Sequence, residues 1–258
     1  MAKHRLYIDS TITIGNEIHL RMDRMHYIMN VLRLTIDDSL IIFDGSGHEY
    51  FAEIIEVKKK YVTLIPRELT YYEKPSPRTI RIGQCLIKKS KMDLMLQKTT
   101  ELGVNVVVPL ISKYSVIKIK KSNERLKKDH WEKIARSACE QCGRNFIPEI
   151  ENPRLLDKFI NEKSNNFKII LDPTSSKTFN EINPQDRNID ILIGPEGGFH
   201  NREIEVAVRN KFVRVSMGPR ILRAETAAIS AAVSALNILG PIETRTNLFL
   251  TATSISLL

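Results

Sequence analysis

The chain has 258 residues, 42% of them hydrophobic, which is enough for one large domain or two modest domains with ordinary buried cores. Its apolar runs are shorter than the roughly 18 residues of a membrane span and its N-terminus lacks a leader pattern, so we expect a cytoplasmic protein without a membrane partner. Three cysteines, an odd number, argue against a disulfide framework and predict reduced thiols.

The net charge of +9 is concentrated in the middle of the chain. Residues 75–144 carry 16 Lys and Arg against 6 Asp and Glu, whereas the segments on either side are nearly balanced. Such an excess favours binding of a polyanion through counterion release, so nucleic acid is the expected partner. A solvated lysine-rich face is an equally good interpretation of the charge alone.

The first 70 residues are predicted to form a compact β domain. Short apolar runs with turn residues between them indicate strands at 5–8, 40–43, 50–57 and 61–66. The turn Asp44-Gly45-Ser46-Gly47 marks a hairpin, and apolar residues at helical spacing predict a helix over 23–34.

The two prolines between Tyr71 and Pro77 disfavour a continuing sheet, and we place a domain boundary there, between residues 1–72 and 73–242. Strands and helices alternate beyond it, which predicts the α/β class. The predicted strands are 79–87, 104–110, 168–171, 189–193 and 212–215, and the predicted helices are 91–102, 123–142, 201–209 and 224–239. Ser90 is the expected N-cap of the first helix and Gly103 its stop. Residues 243–258 form a short apolar tail.

The first candidate binding loop is Gly194-Pro195-Glu196-Gly197-Gly198-Phe199, which follows a predicted strand and leads into a helix. Its three glycines let backbone amides approach a ligand, and ligands bind at the carboxyl ends of strands in open α/β sheets. The spacing matches neither the dinucleotide nor the phosphate-binding fingerprint, which argues against hydride transfer and ATP hydrolysis. A plain tight turn is the alternative.

The second candidate loop spans residues 217–227 and links the last predicted strand to the last helix. Ile221 and Leu222 are suited to flank a flat purine ring, while Arg223 and Glu225 supply opposite charges. The alternative for these two charges is a salt bridge beside the helix N-terminus, where Thr226 would serve as a cap.

Both loops resemble segments of a known family. The sequences LIGPEGGF at 192–199 and MGPRILRAETA at 217–227 are similar to the cofactor loops of the RsmE family, ribosomal small-subunit RNA methyltransferases that act on uridine N3 within the SPOUT superfamily. The resemblance extends to KKSKMDLMLQKTTELGV at 88–104, EQCGRNFIPEI at 140–150, and MHYIMNVLRL and FDGSG in the N-terminal part. It therefore covers nearly the whole chain up to Pro241.

The resemblance implies an α/β protein with an N-terminal PUA-like β-barrel that binds RNA and a C-terminal SPOUT domain knotted as a trefoil. It also implies a homodimer and S-adenosyl-L-methionine as the cofactor. The residues expected to bind this cofactor are Leu171, Ile193, Gly194, Pro195, Glu196, Gly197, Gly198, Met217, Gly218, Ile221, Leu222, Arg223, Ala224, Thr226 and Ala227. The alanines of the last predicted helix suit close packing at the knot, at a dimer interface or in an ordinary core.

Methylation of uridine N3 requires an unpaired base and removal of the N3 proton. We expect Glu225 or Glu196 to accept this proton and Arg223 to stabilise negative charge on the uracil oxygens. Alternatively, both glutamates order their loops and solvent takes the proton. The residues expected to contact ribosomal RNA are Arg24, Arg33, Lys88, Lys89, Lys91, Arg136, Gln141 and Arg144.

Two other functions are compatible with the sequence. One is a non-catalytic RNA-binding protein, and the other is a SPOUT methyltransferase that acts on a ribose 2′-hydroxyl or on transfer RNA. Cys139 and Cys142 form a lone C-x-x-C motif, and without a second pair at zinc-finger spacing a structural role is favoured. We therefore expect no metal site.

Overall fold

The computed structural model describes residues 4–115, 117, 121–185 and 187–239, and the predicted tail 243–258 lies outside them. Packing divides the described chain into two units. The first comprises residues 4–75 together with Cys139–Phe146, and the second comprises the remaining described residues. Local sequence patterns do not predict that the short segment after residue 138 groups with the first unit.

The first unit is built on a five-stranded sheet in the order β1-β3-β4-β5-β2. The strands are β1 (Arg5–Tyr7), β2 (Ile18–Arg21), β3 (Ser39–Phe43), β4 (His48–Val57) and β5 (Tyr61–Tyr72). β1 pairs with β3 in parallel and the other neighbours are antiparallel, which confirms the predicted hairpin between β3 and β4. The sequence missed β2 because four residues give too little alternation to be recognised.

One helical segment packs on this sheet. It consists of α1 (Met22–His26), followed by a π-helical turn at Tyr27–Val31, so it ends earlier than the predicted helix over 23–34. Ile28 on this segment is fully buried among the apolar strand residues. The core of the first unit consists mainly of Leu6, Ile8, Leu20, Leu40, Ile42, Ile54, Val62 and Leu64.

Hydrogen bonds explain why the Cys139–Phe146 segment belongs to the first unit. Asn145 is fully buried, its backbone N–H donates to the carboxylate of Glu73, and its side-chain oxygen accepts from Arg5 Nη2 at 2.6 Å. Glu140 accepts from the backbone N–H of Tyr7 at 3.0 Å and from Arg24 at 2.9 Å. Buried polar groups of this kind are costly unless paired, so the segment and the sheet stabilise each other.

The second unit is a wholly parallel sheet in the order β12-β10-β11-β6-β7-β8, with β9 also pairing with β7. Its strands are β6 (Ile80–Cys85), β7 (Val106–Ile111), β8 (Glu149–Ile150), β9 (Arg154–Leu155), β10 (Phe167–Leu171), β11 (Ile189–Ile193) and β12 (Val213–Val215). The long apolar strands and the alternation with helices were predicted, and the α/β class is confirmed. The two-residue strands β8 and β9 were not predicted.

The helices of the second unit are α2 (Lys89–Glu101), α3 (Glu124–Cys142), α4 (Leu156–Ile160), α5 (Asn201–Arg209) and α6 (Ala224–Leu239), and the last four residues of α3 group with the first unit. The prediction of Ser90 as the N-cap of α2 is wrong, because Lys88 occupies that position and Ser90 lies inside the first turn. The predicted stop at Gly103 is confirmed, with a positive φ of 85°. Thr226 lies within α6 rather than at its cap.

The alanines of α6 are in the core. Ala228, Ala231, Ala232 and Ala235 are fully buried in the largest apolar cluster, where their small side chains bring the helix close to the sheet and to α2. The structure therefore shows core packing for these four alanines, and close packing at the knot or at a dimer interface stays a prediction. None of the described helices is both long enough and apolar enough to span a membrane.

Candidate functional site

Because all strands of the second unit are parallel, the loops that follow them meet at one edge of the sheet. The two predicted cofactor loops follow β11 and β12, and β10 lies between these strands in the sheet. Leu171 and Ile193, at the ends of β10 and β11, are buried apolar residues beneath this edge. The structure thus brings together the predicted residues from three separate parts of the chain.

The loop after β11 is a tight turn with an open outer face. Gly198 has a φ of 71°, and its N–H donates to the carbonyl of Pro195 at 2.9 Å. A Cβ at Gly198 would meet none of the described residues within 4 Å, whereas a Cβ at Gly194 would come within 3.2 Å of the Phe199 ring. The turn is tight, and its glycine face is open among the described residues, while contact with a ligand stays a prediction.

The loop after β12 also contains a glycine with a positive φ and an open face. Gly218 has a φ of 115°, and a Cβ there would also meet none of the described residues within 4 Å. The Ser216 side chain fixes the loop, since its Oγ accepts from the N–H of Gly218 at 3.2 Å. Ile221 is 86% exposed, so its apolar side chain is free to contact a ligand.

Glu225 lies in the first turn of α6 and is only 5% exposed. Its Oε1 forms an ion pair with Lys91 Nζ on α2, so the expected Arg223–Glu225 bridge is replaced by a partner from another helix. Burial alone would raise the pKa of Glu225, but the Lys91 hydrogen bond and the charges of Lys91 and Arg223 lower that pKa below its usual value. The Oε2 atom has no hydrogen-bond partner among the described residues.

Gln84 lies at the same sheet edge and is not among the residues predicted from the sequence. It is fully buried on β6, and its Nε2 donates to the carbonyl of Cys85 at 2.8 Å and to that of Gly194 at 3.3 Å. Its Oε1 is a second buried acceptor without a partner in the described chain. The available signal was a polar amide that shares a strand face with Ile80 and Ile82, and an amide on such a face needs an explanation where it is buried.

The loops are also joined to the segment that precedes α2. The backbone N–H of Lys88 donates to Glu196 Oε1 at 3.1 Å, which orders the glycine loop against the end of β6. The predicted RNA-contacting residues Lys88 and Lys89 are both exposed at this point. Tyr114, also missed from sequence, approaches Gly197 from the loop after β7, and its Cβ lies 3.4 Å from the position of a Gly197 Cβ.

The other predicted RNA-contacting residues differ in whether they are exposed and whether they pair with a carboxylate. In the second unit, Lys91 is paired with Glu225, and Arg136 lies 3.5 Å from Glu132 on the same helix. The remaining four belong to the first unit, where Arg24 pairs with Glu140, Arg33 and Gln141 are exposed, and Arg144 is half-buried. Burial lowers the pKa of Arg144 from its ordinary value.

The two cysteines of the C-x-x-C motif differ in environment. Cys139 is buried and Cys142 is exposed, and burial raises the pKa of Cys139 to about 12. A thiol of that kind is unreactive at neutral pH. The described residues contain no group of three or more His, Cys, Asp or Glu side chains placed to hold a metal ion.

The residues at the sheet edge fit S-adenosylmethionine. Space is open in front of Gly198 and Gly218, and the exposed Ile221 offers an apolar surface for a purine ring. The buried unpaired acceptors Gln84 Oε1 and Glu225 Oε2 match the amino and hydroxyl donors of a nucleoside or amino acid.

Comparison with known proteins assigns both parts of the chain. Residues 74–237 match the family model of an RNA methyltransferase domain, and residues 20–67 match that of an RNA methyltransferase PUA domain. The chain is 40% identical over 235 residues to ribosomal RNA small subunit methyltransferase E of Buchnera aphidicola from Schizaphis graminum, covering 91% of this chain and 95% of that protein. It is 30% identical to the Bacillus subtilis protein of the same name, covering 81% and 85%.

Two solved structures have the same fold with cofactor bound. One is a Legionella pneumophila protein in complex with S-adenosylmethionine, at a TM-score of 0.86 and 36% identity, covering 90% of this chain and 96% of that chain. The other is ribosomal RNA small subunit methyltransferase E of Neisseria gonorrhoeae bound to S-adenosylmethionine, at a TM-score of 0.82 and 29% identity, covering 90% and 96%.

Proposed function

The chain belongs to the ribosomal RNA small subunit methyltransferase E family, and on that premise we propose that it transfers a methyl group from S-adenosylmethionine to N3 of a uridine in 16S ribosomal RNA. The family, the α/β SPOUT class and the PUA-like N-terminal domain, each expected from sequence, are confirmed. The trefoil knot stays a prediction. The observation that carries the proposal is the pair of open glycine loops beside two buried, unpaired acceptors at one sheet edge.

The chain supplies a binding surface for the cofactor from three strand ends. The backbone around 194–198 and 217–222, with the buried floor of Leu171 and Ile193, would hold the nucleoside, in line with the residues expected from sequence. When bound, S-adenosylmethionine supplies an electrophilic methyl group on a sulfonium sulfur. The protein's task is then to hold the uracil N3 in line with that methyl group, because orientation supplies much of the rate.

Glu225 is the proposed acceptor of the N3 proton of the uracil. Lys91 keeps this carboxylate ionised at neutral pH, and its Oε2 is an acceptor without a partner in the described chain. Arg223, exposed at the end of the loop, would stabilise negative charge on the uracil oxygens. Glu196 accepts the Lys88 amide, and this bond supports a loop-ordering role for it over proton transfer.

The same proposal includes the oligomeric state, the location in the cell, the domain bounds and the RNA contacts. We propose a homodimer in the cytoplasm, with an RNA-binding domain over residues 1–72 and a methyltransferase domain over residues 73–242. The excess of positive charge in residues 75–144 supports RNA contacts by Lys88 and Lys89, whose side chains are exposed beside the loops. Arg24, Arg33, Arg136, Gln141 and Arg144 stay proposed contacts.

The test is to map methylation on 16S ribosomal RNA after incubating the protein, S-adenosylmethionine and small subunits prepared from cells that lack the enzyme. A methyl group on N3 blocks the Watson–Crick edge, so we expect one new reverse-transcription stop and one methylated uridine by mass spectrometry. A methyl group that instead protects the neighbouring phosphodiester from alkali would identify a ribose 2′-hydroxyl target. Methylation of transfer RNA alone would overturn the ribosomal substrate, and failure to bind S-adenosylmethionine would favour a non-catalytic RNA-binding protein.

A further inference from the structure

A separate pocket of about 350 Å³ lies between the start of α2 and α3 in the second unit. Its inner surface is apolar and includes Ile87, Met92 and Trp131, whose side chains belong to the core and are nearly buried. The indole of Trp131 is only 4% exposed. The volume falls within the range of small-molecule sites and exceeds that of a single nucleobase.

The pocket and the glycine loops share one short stretch of chain. Ile87 lines the pocket, and the backbone N–H of the next residue, Lys88, donates to Glu196 of the first glycine loop at 3.1 Å. Further along α2, Met92 lines the pocket while the preceding residue, Lys91, pairs with Glu225. A ligand in the pocket would therefore lie next to the segment that orders the proposed methyl-transfer site.

The rim of the pocket is cationic. Lys89 and Lys127 line it together with His130, and the described lining residues include no carboxylate. The Nε2 of His130 lies 3.0 and 3.1 Å from the two oxygens of Asp93, an interaction that fixes the ring at the rim. An apolar interior under a positive rim matches a nucleotide, with its flat base and its anionic phosphate.

We propose that this pocket binds an unpaired nucleobase of the substrate RNA that neighbours the methylated uridine, with its phosphate at Lys89 and Lys127. The inference rests on the proposed function, since it assigns a second contact for the same RNA. An extruded target base leaves its neighbours without stacking partners, and the apolar lining of this pocket would shield such a neighbouring base from water. The occupant is thus a single-stranded nucleotide rather than a duplex.

The chain contains one tryptophan, so the fluorescence of Trp131 reports directly on this pocket. We would saturate the full-length protein with S-adenosylmethionine and titrate it with a seven-nucleotide oligouridine. The expected result is a saturable change in Trp131 emission. Leu126 is 69% exposed at the pocket, so Leu126→Glu adds a negative charge to the rim and should weaken this binding at least about tenfold.

The matched control is Leu155→Glu, at a 53% exposed leucine on β9 that does not line the pocket. It should bind the oligouridine as the wild type does, and calorimetry should give both variants the wild-type affinity for S-adenosylmethionine.

Oligouridine binding that leaves Trp131 emission unchanged, or equal binding by the two variants, would overturn the pocket proposal while leaving the methyltransferase function intact. A change in sedimentation of Leu126→Glu alone would show that a second copy of the chain covers the pocket, which also overturns it. Loss of S-adenosylmethionine binding by the wild type would instead refute the proposed function, and an RNA-dependent emission change would still support the pocket.

Discussion

Lys91 on α2 and Glu225 on α6 form an ion pair across 134 residues of sequence. Glu225 is buried in the first turn of α6, and Lys91 reaches it from α2. The pair therefore joins the two helices beside the glycine loops. It also assigns to Lys91 a role in positioning Glu225, in addition to the RNA contact expected from sequence.

Replacing Lys91 with Met should leave Glu225 buried without its charge partner. We expect the free energy of unfolding to fall by about 1–3 kcal/mol, as is typical when one member of a buried hydrogen-bonded pair is removed. Chemical denaturation monitored by circular dichroism measures this change. The control is Lys98→Met, whose partner Glu101 is three residues away on the surface of the same helix, and its cost should stay within about 0.5 kcal/mol. Equal costs for the two variants would contradict the assigned role of the pair.

Replacing Glu225 with Gln should slow methyl transfer under single-turnover conditions by roughly tenfold to a hundredfold, because an amide is a much poorer proton acceptor than a carboxylate. The lowered pKa of Glu225 gives the pH dependence its sign. In the wild type the Glu225 carboxylate stays ionised at every pH above the usual carboxyl pKa of about 4.3, and it is protonated only as the pH falls through its own lowered pKa. The contribution of Glu225 to the rate should therefore vanish only in acid. Rates measured at saturating cofactor and RNA test this, and a variant with wild-type rates across pH would exclude the residue as acceptor.

Replacing Gly198 or Gly218 with Ala should reduce the affinity for S-adenosylmethionine at least about tenfold. Each glycine has a positive φ, so alanine costs roughly 1 kcal/mol of backbone strain, and the added methyl group would occupy the open face of the loop. Isothermal calorimetry gives the affinities. Gly15→Ala is the matched control, since Gly15 has a φ of 84° and open surroundings among the described residues, but lies in the first unit. If all three variants bind alike, the open glycine faces do not contact the cofactor.

Replacing Lys88 and Lys89 together with Gln should flatten the salt dependence of RNA binding. Two lost phosphate contacts would lower the slope of log affinity against log salt by about 1.4 for single-stranded RNA. Filter binding from about 50 to about 300 mM salt measures the slope. The control pair Lys158→Gln and Lys163→Gln removes the same charge from exposed residues on α4 and just after it. An identical slope for both pairs would mean that general charge, rather than a local footprint, governs binding.

Features that depend on residues close together in sequence could be predicted, whereas features that depend on distant residues could not. α5, α6 and β11 have the predicted bounds because apolar periodicity and glycine or proline stops are local signals. The misplaced N-cap at Ser90 shows the limit of such signals. Lys88 takes that position while its N–H bonds Glu196, 108 residues away, a contact that local pattern does not contain.

By itself, the sequence determined the α/β class, the two glycine loops and the family, because each depends on short motifs and on residue periodicity. Only the tertiary structure decided which groups face one another at the sheet edge. It paired Lys91 with Glu225, placed Gln84 beneath Gly194, and grouped Asn145 with Arg5 in the first unit. The physical reason is that buried polar atoms must find partners wherever the packing brings them, and packing depends on the whole chain rather than on neighbours in sequence.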